Sequence, residues 1–303
     1  MLAPHAALSA AELHTLRTSR VIIPVPDAVF RIEGPGTITC LQGLLTNDIV
    51  KLASDRAAWG AFLTPKGMII SDAWVIRDGD AAWVLVPDSA RETMAQLFTR
   101  TLPPRLAKAT DRSEDRAVHW LCGATASAPE HGMIATPEGE APFVALMVGP
   151  IGGEATLIEQ GWQSVSPAHA DVLKVLLGWP SLGREIDERT LPQEVRFDEL
   201  GGVRYDKGCY TGQETVSRLH FRGHANRALR GVRWDGDDAP ADLSVVVGGK
   251  VVGTLRTIVR LDTQHLALAV LRREVGVGES VRTGNSDGVV IEPPFAIDPP
   301  AVA

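Results

Sequence analysis

The chain has 303 residues, of which 45% are hydrophobic and 22% charged, a composition typical of a globular protein with two or three domains. It contains no run of 18 apolar residues, so no membrane span is expected, and its net charge of −7 disfavours binding of nucleic acid by the whole surface. Three widely spaced cysteines, Cys40, Cys122 and Cys209, disfavour a disulfide framework. With no secretory signal or transit peptide recognisable at the N-terminus, these features predict a cytoplasmic protein.

The first part of the chain is predicted to mix helices with paired strands. Hydrophobic periodicity indicates helices at 10–18, 36–47 and 88–100, and strands at 21–23, 29–33, 57–63, 68–76 and 81–86. Asp88 is expected to cap the third helix, and the prolines at 103 and 104 to end it. Helices and strands in this order predict an α+β fold rather than a doubly wound parallel sheet.

A second, similar block follows, and then the pattern changes. Strands are expected at 118–121 and 143–148, a loop at 123–142, and helices at 168–177 and 193–200. After Gly223, short valine-rich segments at 243–247, 250–255, 266–271 and 288–291 predict a small antiparallel β-barrel. We therefore expect α+β domains at 1–115 and 116–222, a barrel at 223–292, and a loosely ordered proline-rich tail at 293–303.

The segment 207–214, KGCYTGQE, places a thiol beside a lysine just before a predicted helix. Thr211 and Glu214 have the spacing of a capping box, in which each side chain accepts a hydrogen bond from a free backbone N–H of the first turn. Cys209 would then lie near a positive helix end and the Lys207 ammonium, and both favour a reactive thiolate. The alternative is a tight turn in which Cys209 is a small buried hydrophobic residue.

The residues around this octapeptide are locally basic. From 201 to 234 there are seven Lys and Arg residues against two acids, which indicates an anionic ligand tail, an acidic partner, or simply a solvated face. RNA is a third option, which the scarcity of aromatic residues there disfavours. His220 and His224 have the spacing of a metal pair, but Gly223 interrupts the helix, and no metal is predicted.

Several segments in the same order resemble the YgfZ family of folate-binding proteins, relatives of the glycine-cleavage T-protein and of mitochondrial iron–sulfur assembly factors. The resemblance rests on the octapeptide and on 41–48 (LQGLLTND), 191–194 (LPQE), 200–203 (LGGV), Arg218 and 221–223 (FRG). It covers most of the first 235 residues. It implies two intertwined α+β domains and a C-terminal barrel around a central opening, with tetrahydrofolate as the ligand.

The resemblance also implies which residues contact the folate. T-protein relatives hold the pterin with a glutamate in a Pro-x-Glu context, which Glu194 matches, and one carboxylate can accept from two adjacent pterin N–H donors. Gln193 could add a contact, whereas the alternative for Glu194 is an acid complementing a helix start. Asn47 is expected to face the opening, unless it only ends its helix. The remaining predicted contacts are Lys207, Tyr210, Gln213 and, for the anionic glutamate tail of folate, Arg222 and Arg227.

Asp72 lies in an apolar strand where T-proteins carry two adjacent acids, one of which assists one-carbon transfer. Ser71 replaces the first acid, which disfavours full T-protein chemistry, but Asp72 remains a candidate base.

Three functions follow from these observations. The leading hypothesis is a cytoplasmic folate-binding protein that uses Cys209 to support iron–sulfur cluster assembly or repair, with iron–sulfur proteins or assembly factors as partners. The second is an aminomethyl- or methyltransferase with Asp72 as its base. The third is a folate-sensing factor linked to tRNA modification, binding RNA through 201–234.

Overall fold

The computed structural model describes residues 6–236, 240 and 242–295. Its α-helices are α1 (Ala10–Thr18), α2 (Thr37–Gln42), α3 (Arg91–Thr101), α4 (Ala155–Glu159), α5 (Ala168–Leu177) and α6 (Gln213–Arg222). Short 3-10 helices span Asp88–Ala90 and Pro192–Val195. Within the described residues, no helix has the length and apolar character needed to cross a membrane.

The first strand, β1 (Ala6–Leu8), pairs with the C-terminal part of the chain. The next ten strands form one large mixed sheet. These are β2 (Val21–Val25), β3 (Asp27–Glu33), β4 (Arg56–Leu63), β5 (Ile69–Asp78), β6 (Ala81–Pro87), β7 (Lys108–Asp111), β8 (Arg116–Cys122), β9 (Met133–Pro137), β10 (Ala145–Pro150) and β11 (Gln163–Ser164). Their order is β11-β2-β8-β10-β9-β4-β5-β6-β3-β7, with β2–β11 and β4–β9 parallel.

The two halves of the sequence are intertwined in this sheet, as expected. The early strand β2 lies between β11 and β8, and the later strand β9 pairs with β4. Most of β2 is buried and takes its register from hydrophobic packing. In β9 only Ala135 is buried, and the strand is held by its pairing with β4 and β10. The predicted boundary between residues 115 and 116 stays a prediction, since the shared sheet has no break there.

The C-terminal part is a closed antiparallel barrel of six strands. These are β12 (Arg227–Asp235), β13 (Ser244–Val247), β14 (Lys250–Leu261), β15 (Gln264–Arg272), β16 (Ser280–Thr283) and β17 (Ser286–Ile291). Their order is β14-β13-β16-β17-β12-β15, and pairing of β15 with β14 closes the ring and leaves no open edge inside it. The N-terminal strand β1 adds to β14 in parallel. The prediction of a small barrel is confirmed.

Several local predictions need correction. Helix α2 ends at Gln42 rather than residue 47, because the Thr46 N–H instead donates to the carbonyl of Ala61 in β4. Asp88 lies in a 3-10 turn, and no side chain caps α3. The helix predicted at 193–200 is one 3-10 turn that stops at Arg196, whose φ of 64° is left-handed.

The loop predicted at 123–142 contains β9, and β1, β7, β11, β12 and β16 were also not predicted. These strands lack a long apolar run. β12, for example, carries Arg227, Arg230 and Arg233, and only alternate stretches of it are buried. Their strand conformation is imposed by pairing with neighbours rather than by their own residues.

The start of the tail is packed rather than loose. Phe295 is 6% exposed, its N–H donates to the carbonyl of Leu176 at 2.7 Å, and its ring lies where a side chain on Gly231 would be. The prediction of a loosely ordered tail is therefore wrong for 293–295, and the rest of that prediction, 296–303, lies outside the described residues.

Candidate functional site

The two segments that the sequence singled out, 41–48 and 207–214, contact each other directly. The Lys207 ammonium donates hydrogen bonds to the carbonyl oxygens of Gln42, Leu45 and Asn47, at 2.8, 2.6 and 2.7 Å. Three acceptors satisfy all three N–H groups of a lysine. Burial lowers the pKa of Lys207 to about 8, and the nearby carboxylate of Asp48 partly opposes this. Lys207 thus fixes the octapeptide to the turn that follows α2.

The predicted capping box at Thr211 and Glu214 is wrong. Helix α6 begins at Gln213 after Gly212, whose φ is 83°, and no side chain caps it. The Thr211 N–H donates instead to the carbonyl of Gly43 at 3.1 Å, which holds the residue in the loop. Tertiary contact with the 41–48 segment has therefore replaced the local cap.

Cys209 lies in the turn between these anchored residues and is exposed. The alternative of a buried hydrophobic cysteine is therefore wrong. The predicted cationic neighbour, Lys207, is committed to backbone carbonyls and lies 5.0 Å above the ring of Tyr210. Tyr210 is itself buried, and burial raises the pKa of its hydroxyl. A reactive role for Cys209 remains a prediction.

A cavity of about 380 Å³ lies between α5 and the sheet, around β5 and the start of β3. Three tryptophans, Trp74, Trp120 and Trp179, contribute to its walls, and Trp74 and Trp179 stack with their rings 10° from parallel. Asp72 also lines it, so this predicted residue faces a pocket rather than open water. Such a cavity has the flat apolar walls that suit an aromatic ligand.

Five charged side chains line this cavity: Asp27, Asp72, Asp171, Lys174 and Arg184. Arg184 and Asp171 form an ion pair at 2.9 Å, which leaves Asp27, Asp72 and Lys174. Burial raises the pKa of Asp72, and it raises the pKa of Asp27 to about 6, which the neighbouring charge of Asp72 increases further. The Lys174 ammonium opposes both shifts. The two carboxyl groups therefore ionise less readily than exposed ones.

Two buried polar atoms of the cavity residues have neither a hydrogen-bond partner nor an ion-pair partner among the described residues. They are the acceptor Oδ1 of Asp72 and the donor Nε1 of Trp120, whose residue is 3% exposed. The other oxygen of Asp72 accepts from Nε1 of Trp59 at 3.2 Å. Unpaired buried polar groups are costly, so a ligand that offered one donor and one acceptor would satisfy both.

Trp59 connects this cavity to the contact between segments 41–48 and 207–214. The amide of Asn47 donates to the Trp59 carbonyl at 2.6 Å, and the Trp59 ring stacks on Phe197 at 4.0 Å. Asn47, Lys207 and Asp72 are thus joined through a short series of contacts. Asn47 is 6% exposed and its amide donates to backbone carbonyls, so it stabilises the residues behind the cavity wall.

Glu194 lies elsewhere and is already paired. Its two carboxylate oxygens accept from Nε and Nη2 of Arg227, both at 2.9 Å, and one also accepts from the Leu191 N–H. Neither Glu194 nor Arg227 lines the cavity. The Leu191 contact matches the alternative prediction, an acid at a helix start. The Glu194 carboxylate, predicted to hold a pterin, is therefore neutralised by Arg227. Arg227 is one of the two arginines predicted to attract the folate tail.

The other predicted contacts are separated from the cavity. Gln193 donates to the Tyr205 hydroxyl and to the Val216 carbonyl, both at 3.1 Å. Gln213 is the first residue of α6, and Arg222 is the last and is exposed.

The basic segment 201–234 does not form one free cationic surface. Lys207 is bound to carbonyls, Arg227 to Glu194, and Arg230 lies 3.4 Å from Glu292.

Sequence reasoning missed Asp27, Lys174, Trp120 and Trp179 as cavity residues. Lys174 is the only Lys or Arg in the mostly apolar helix α5, and Asp27 directly precedes the buried segment of β3. Charged residues inside a mostly apolar element, here Asp171 and Lys174 in α5, were the signal that could have indicated a polar cavity.

Three comparisons with known proteins agree with this fold. The GCVT N-terminal domain family matches residues 5–159, half of the chain. The chain is 26% identical, over 285 residues, to the "tRNA-modifying protein YgfZ" of Escherichia coli strains K12 / DH10B and O9:H4 (HS), covering 80% of this chain and 82% of theirs.

In structure, the chain is similar to the glycine cleavage system aminomethyltransferase T from Bartonella henselae. The TM-score is 0.78 over 95% of this chain and 89% of that one, at 14% identity, which shows the shared fold. Taken with the domain match and the intertwined sheet and barrel, this places the chain in the GCVT N-terminal domain family, as a YgfZ-like relative of the glycine-cleavage T-protein.

Proposed function

We propose that the protein binds a reduced folate, with the pterin ring in the tryptophan-walled cavity. The observation that carries this proposal is the lining of the cavity, which combines three tryptophans with the carboxyl group of Asp72. A pterin is flat and has N–H donors and a carbonyl acceptor on one edge, so it suits both the aromatic walls and a carboxyl acceptor. A reduced folate would supply a nitrogen that carries one-carbon units.

In this arrangement Asp72 accepts from the pterin and Trp120 donates to it. Lys174, which also lines the cavity, supplies positive charge for an anionic part of the ligand, whereas Arg184 is already paired with Asp171. Glu194 could take the pterin only by giving up its two hydrogen bonds to Arg227. Because that exchange would remove the partner of the buried Glu194 carboxylate, the cavity is the better site.

Calorimetric titration with tetrahydrofolate tests this assignment. Asp72→Asn removes the charge of the acceptor and should weaken binding about tenfold, within the range for a hydrogen bond to a charged group. Asp80→Asn, in the exposed β5–β6 turn, is the matched control and should bind as the wild type does. If Glu194→Gln weakens binding and Asp72→Asn does not, the pterin lies at Glu194 and the cavity assignment is wrong.

We further propose a YgfZ-type role in the cytoplasm, in which the Cys209 thiol supports iron–sulfur cluster assembly or repair and thereby tRNA modification. The supporting observation is the exposure of Cys209 in a turn anchored on both sides, by Lys207 and by the Thr211 N–H. A thiol held in place and open to solvent can reach a partner protein.

Complementation of a bacterial strain that lacks its YgfZ protein tests the thiol. The Cys209→Ser variant should fold but fail to restore iron–sulfur enzyme activity and the tRNA nucleoside profile. Cys40→Ser, at a half-buried cysteine, serves as the control and should restore both. Full rescue by Cys209→Ser would remove the thiol from the function.

A second candidate, one-carbon transfer to folate, is favoured by Asp72. Burial raises the pKa of Asp72, which suits a group that accepts a proton from a reacting amine. Ser71 at the adjacent position is fully buried, and its hydroxyl donates to the Asp72 carbonyl at 2.8 Å, so this position supplies no second acid. Formation of methylene-tetrahydrofolate from an aminomethyl-lipoyl carrier protein would favour this candidate.

A further inference from the structure

Helix α6 carries an exposed stripe that the folate proposal does not use. Glu214, Arg218, Phe221 and Arg222 lie three or four residues apart and are all exposed. Residues at this spacing share one helix face. Phe221 is 67% exposed, more than any other large apolar side chain of the described residues. An aromatic ring is thus presented to solvent between two guanidinium groups.

The Phe221 ring is supported from beneath by two other rings. Tyr205 and His220 stack at 3.8 Å, and Phe221 meets His220 at 4.7 Å with the ring planes perpendicular. Asp198 holds this pair, since its oxygens lie 2.7 Å from the Tyr205 hydroxyl and 3.1 Å from Nδ1 of His220. The ring cluster is therefore positioned in advance. It also brings three rings together in the segment 201–234, in which aromatic residues are scarce.

The two flanking arginines have no ion-pair partner among the described residues. Arg218 and Arg222 are one turn apart, a spacing at which like charges repel and weaken a helix. Glu214 lies one turn before Arg218, in the first turn, where the helix dipole already favours an acid. A bound anion beside Phe221 would relieve the repulsion between the arginines.

Positive charge continues beyond the end of α6. A shallow depression there is lined by His224, Arg227, Arg272 and Arg273, with Glu274 as its acid. Two of these arginines are already paired, Arg227 with Glu194 and Arg272 with Glu274 at 3.8 Å. Arg273 therefore supplies the remaining positive charge in this depression.

We propose that this surface of α6 binds a single-stranded segment of RNA, with an unpaired base stacked on Phe221 and phosphates held by Arg218, Arg222 and Arg273. An exposed ring flanked by cations is the pattern of single-strand binding, in which bases stack and the charges follow the backbone. An acidic peptide would use only the arginines, and an apolar partner only the ring. The YgfZ proteins to which the chain is similar are named as tRNA-modifying.

The location also suits an RNA that must reach Cys209. Phe221 is eight residues beyond Gln213, the first residue of α6, which is about 12 Å along the helix axis. Cys209 precedes that helix start by four residues and is exposed. One short strand running along α6 would extend from the ring cluster towards the thiol.

Fluorescence anisotropy with a labelled single-stranded 12-nucleotide RNA tests the proposal. Phe221→Ala and Phe221→Leu should weaken binding about tenfold because both lose the stacking face, whereas Phe221→Trp should retain it. Arg218→Gln should lower the salt dependence of binding by about 0.7 in log–log slope, as expected for one lost phosphate contact. Lys250→Gln and Val251→Ala, at exposed positions on the barrel, are the matched controls and should bind as the wild type does.

Three results would overturn the proposal. Phe221→Leu binding as tightly as the wild type would mean that the ring serves apolar docking of a protein. Duplex RNA binding as well as the single strand would mean that only charge matters. No binding by the wild type at low salt would exclude the surface altogether. Circular dichroism confirms folding of each variant, and because Phe221 is outside the cavity, Phe221→Ala should keep the wild-type affinity for tetrahydrofolate.

Discussion

At the scale of single residues, the cavity is distinguished by charges held in unusual surroundings. Lys174 is placed on an apolar helix and shares its cavity with Asp27 and Asp72. Burial disfavours the charged carboxylates, and the ammonium favours them. The balance sets how much negative charge the cavity presents near neutral pH, and under the folate proposal it sets how strongly the cavity attracts a ligand with N–H donors.

This balance predicts a pH dependence of stability. The pKa of Asp27 is raised to about 6 from 3.8, so between these values the folded state binds more protons than the unfolded state. The free energy of unfolding should therefore fall as pH rises from about 4 to about 6, by about 1–3 kcal/mol from this group.

Urea unfolding followed by tryptophan fluorescence across this pH range measures the effect. Asp27→Asn should flatten the curve, because an amide does not titrate, and Asp80→Asn, in an exposed turn, should leave the curve unchanged. Parallel curves for the wild type and Asp27→Asn would show that Asp27 ionises normally in the folded protein.

At the scale of secondary-structure elements, the β4–β5 turn and the start of α6 fit closely together. Gly67 and Gly212 both have positive φ, 87° and 83°. A Cβ on Gly212 would lie 2.7 Å from the Thr64 carbonyl oxygen, and one on Gly67 would lie 2.9 Å from Cβ of Thr215. Two glycines thus allow the octapeptide to reach the turn between the strands, and the position of Cys209 depends on that contact.

Gly212→Ala should lower the free energy of unfolding by about 2 kcal/mol or more, because alanine is strained at this φ and its methyl group meets backbone. Gly79→Ala is the matched control. Its φ of 62° is also left-handed, but the space around it is open, so only about 1 kcal/mol of conformational cost is expected. Chemical denaturation measures both, and equal losses would show that the turn and α6 are not in close contact.

At the scale of the whole molecule, the barrel is fixed to the rest by a few buried contacts. Arg196 donates to the carbonyls of Leu177 and Pro293, at 2.8 and 3.3 Å. Phe295 then packs on Gly231 of β12. The buried carboxylate of Glu185 accepts from the Thr257 N–H of β14 at 3.1 Å. These contacts hold the barrel beside α5, the helix that also forms one wall of the cavity.

Phe295→Ala should lower the free energy of unfolding by about 3 kcal/mol, as for other buried phenylalanines, and should increase amide exchange in β12 relative to β5. Val277→Ala, at a side chain that is 56% exposed, should change neither quantity. Hydrogen exchange by mass spectrometry measures the difference between the strands. Equal exchange in β12 for Phe295→Ala and the wild type would show that this contact does not hold the barrel in place.

Local residue patterns were sufficient to predict several elements of this protein. Helices α1 and α5 have the predicted bounds, because their apolar residues repeat with the helix period. The valine-rich segments predicted the barrel, and the octapeptide together with 41–48 indicated the family. The short polar strands such as β9 were not predictable, because their neighbours impose their conformation.

Which charged groups contact each other could be seen only in the folded structure. The pairing of Glu194 with Arg227 across 33 residues, and the capture of Lys207 by carbonyls 160 or more residues earlier, depend on which elements lie side by side. The same is true of the cavity, since Asp27, Asp72 and Lys174 come from β3, β5 and α5. The sequence around a carboxylate does not identify its ion-pair partner, because the partner is set by the packing of distant elements rather than by the neighbouring residues.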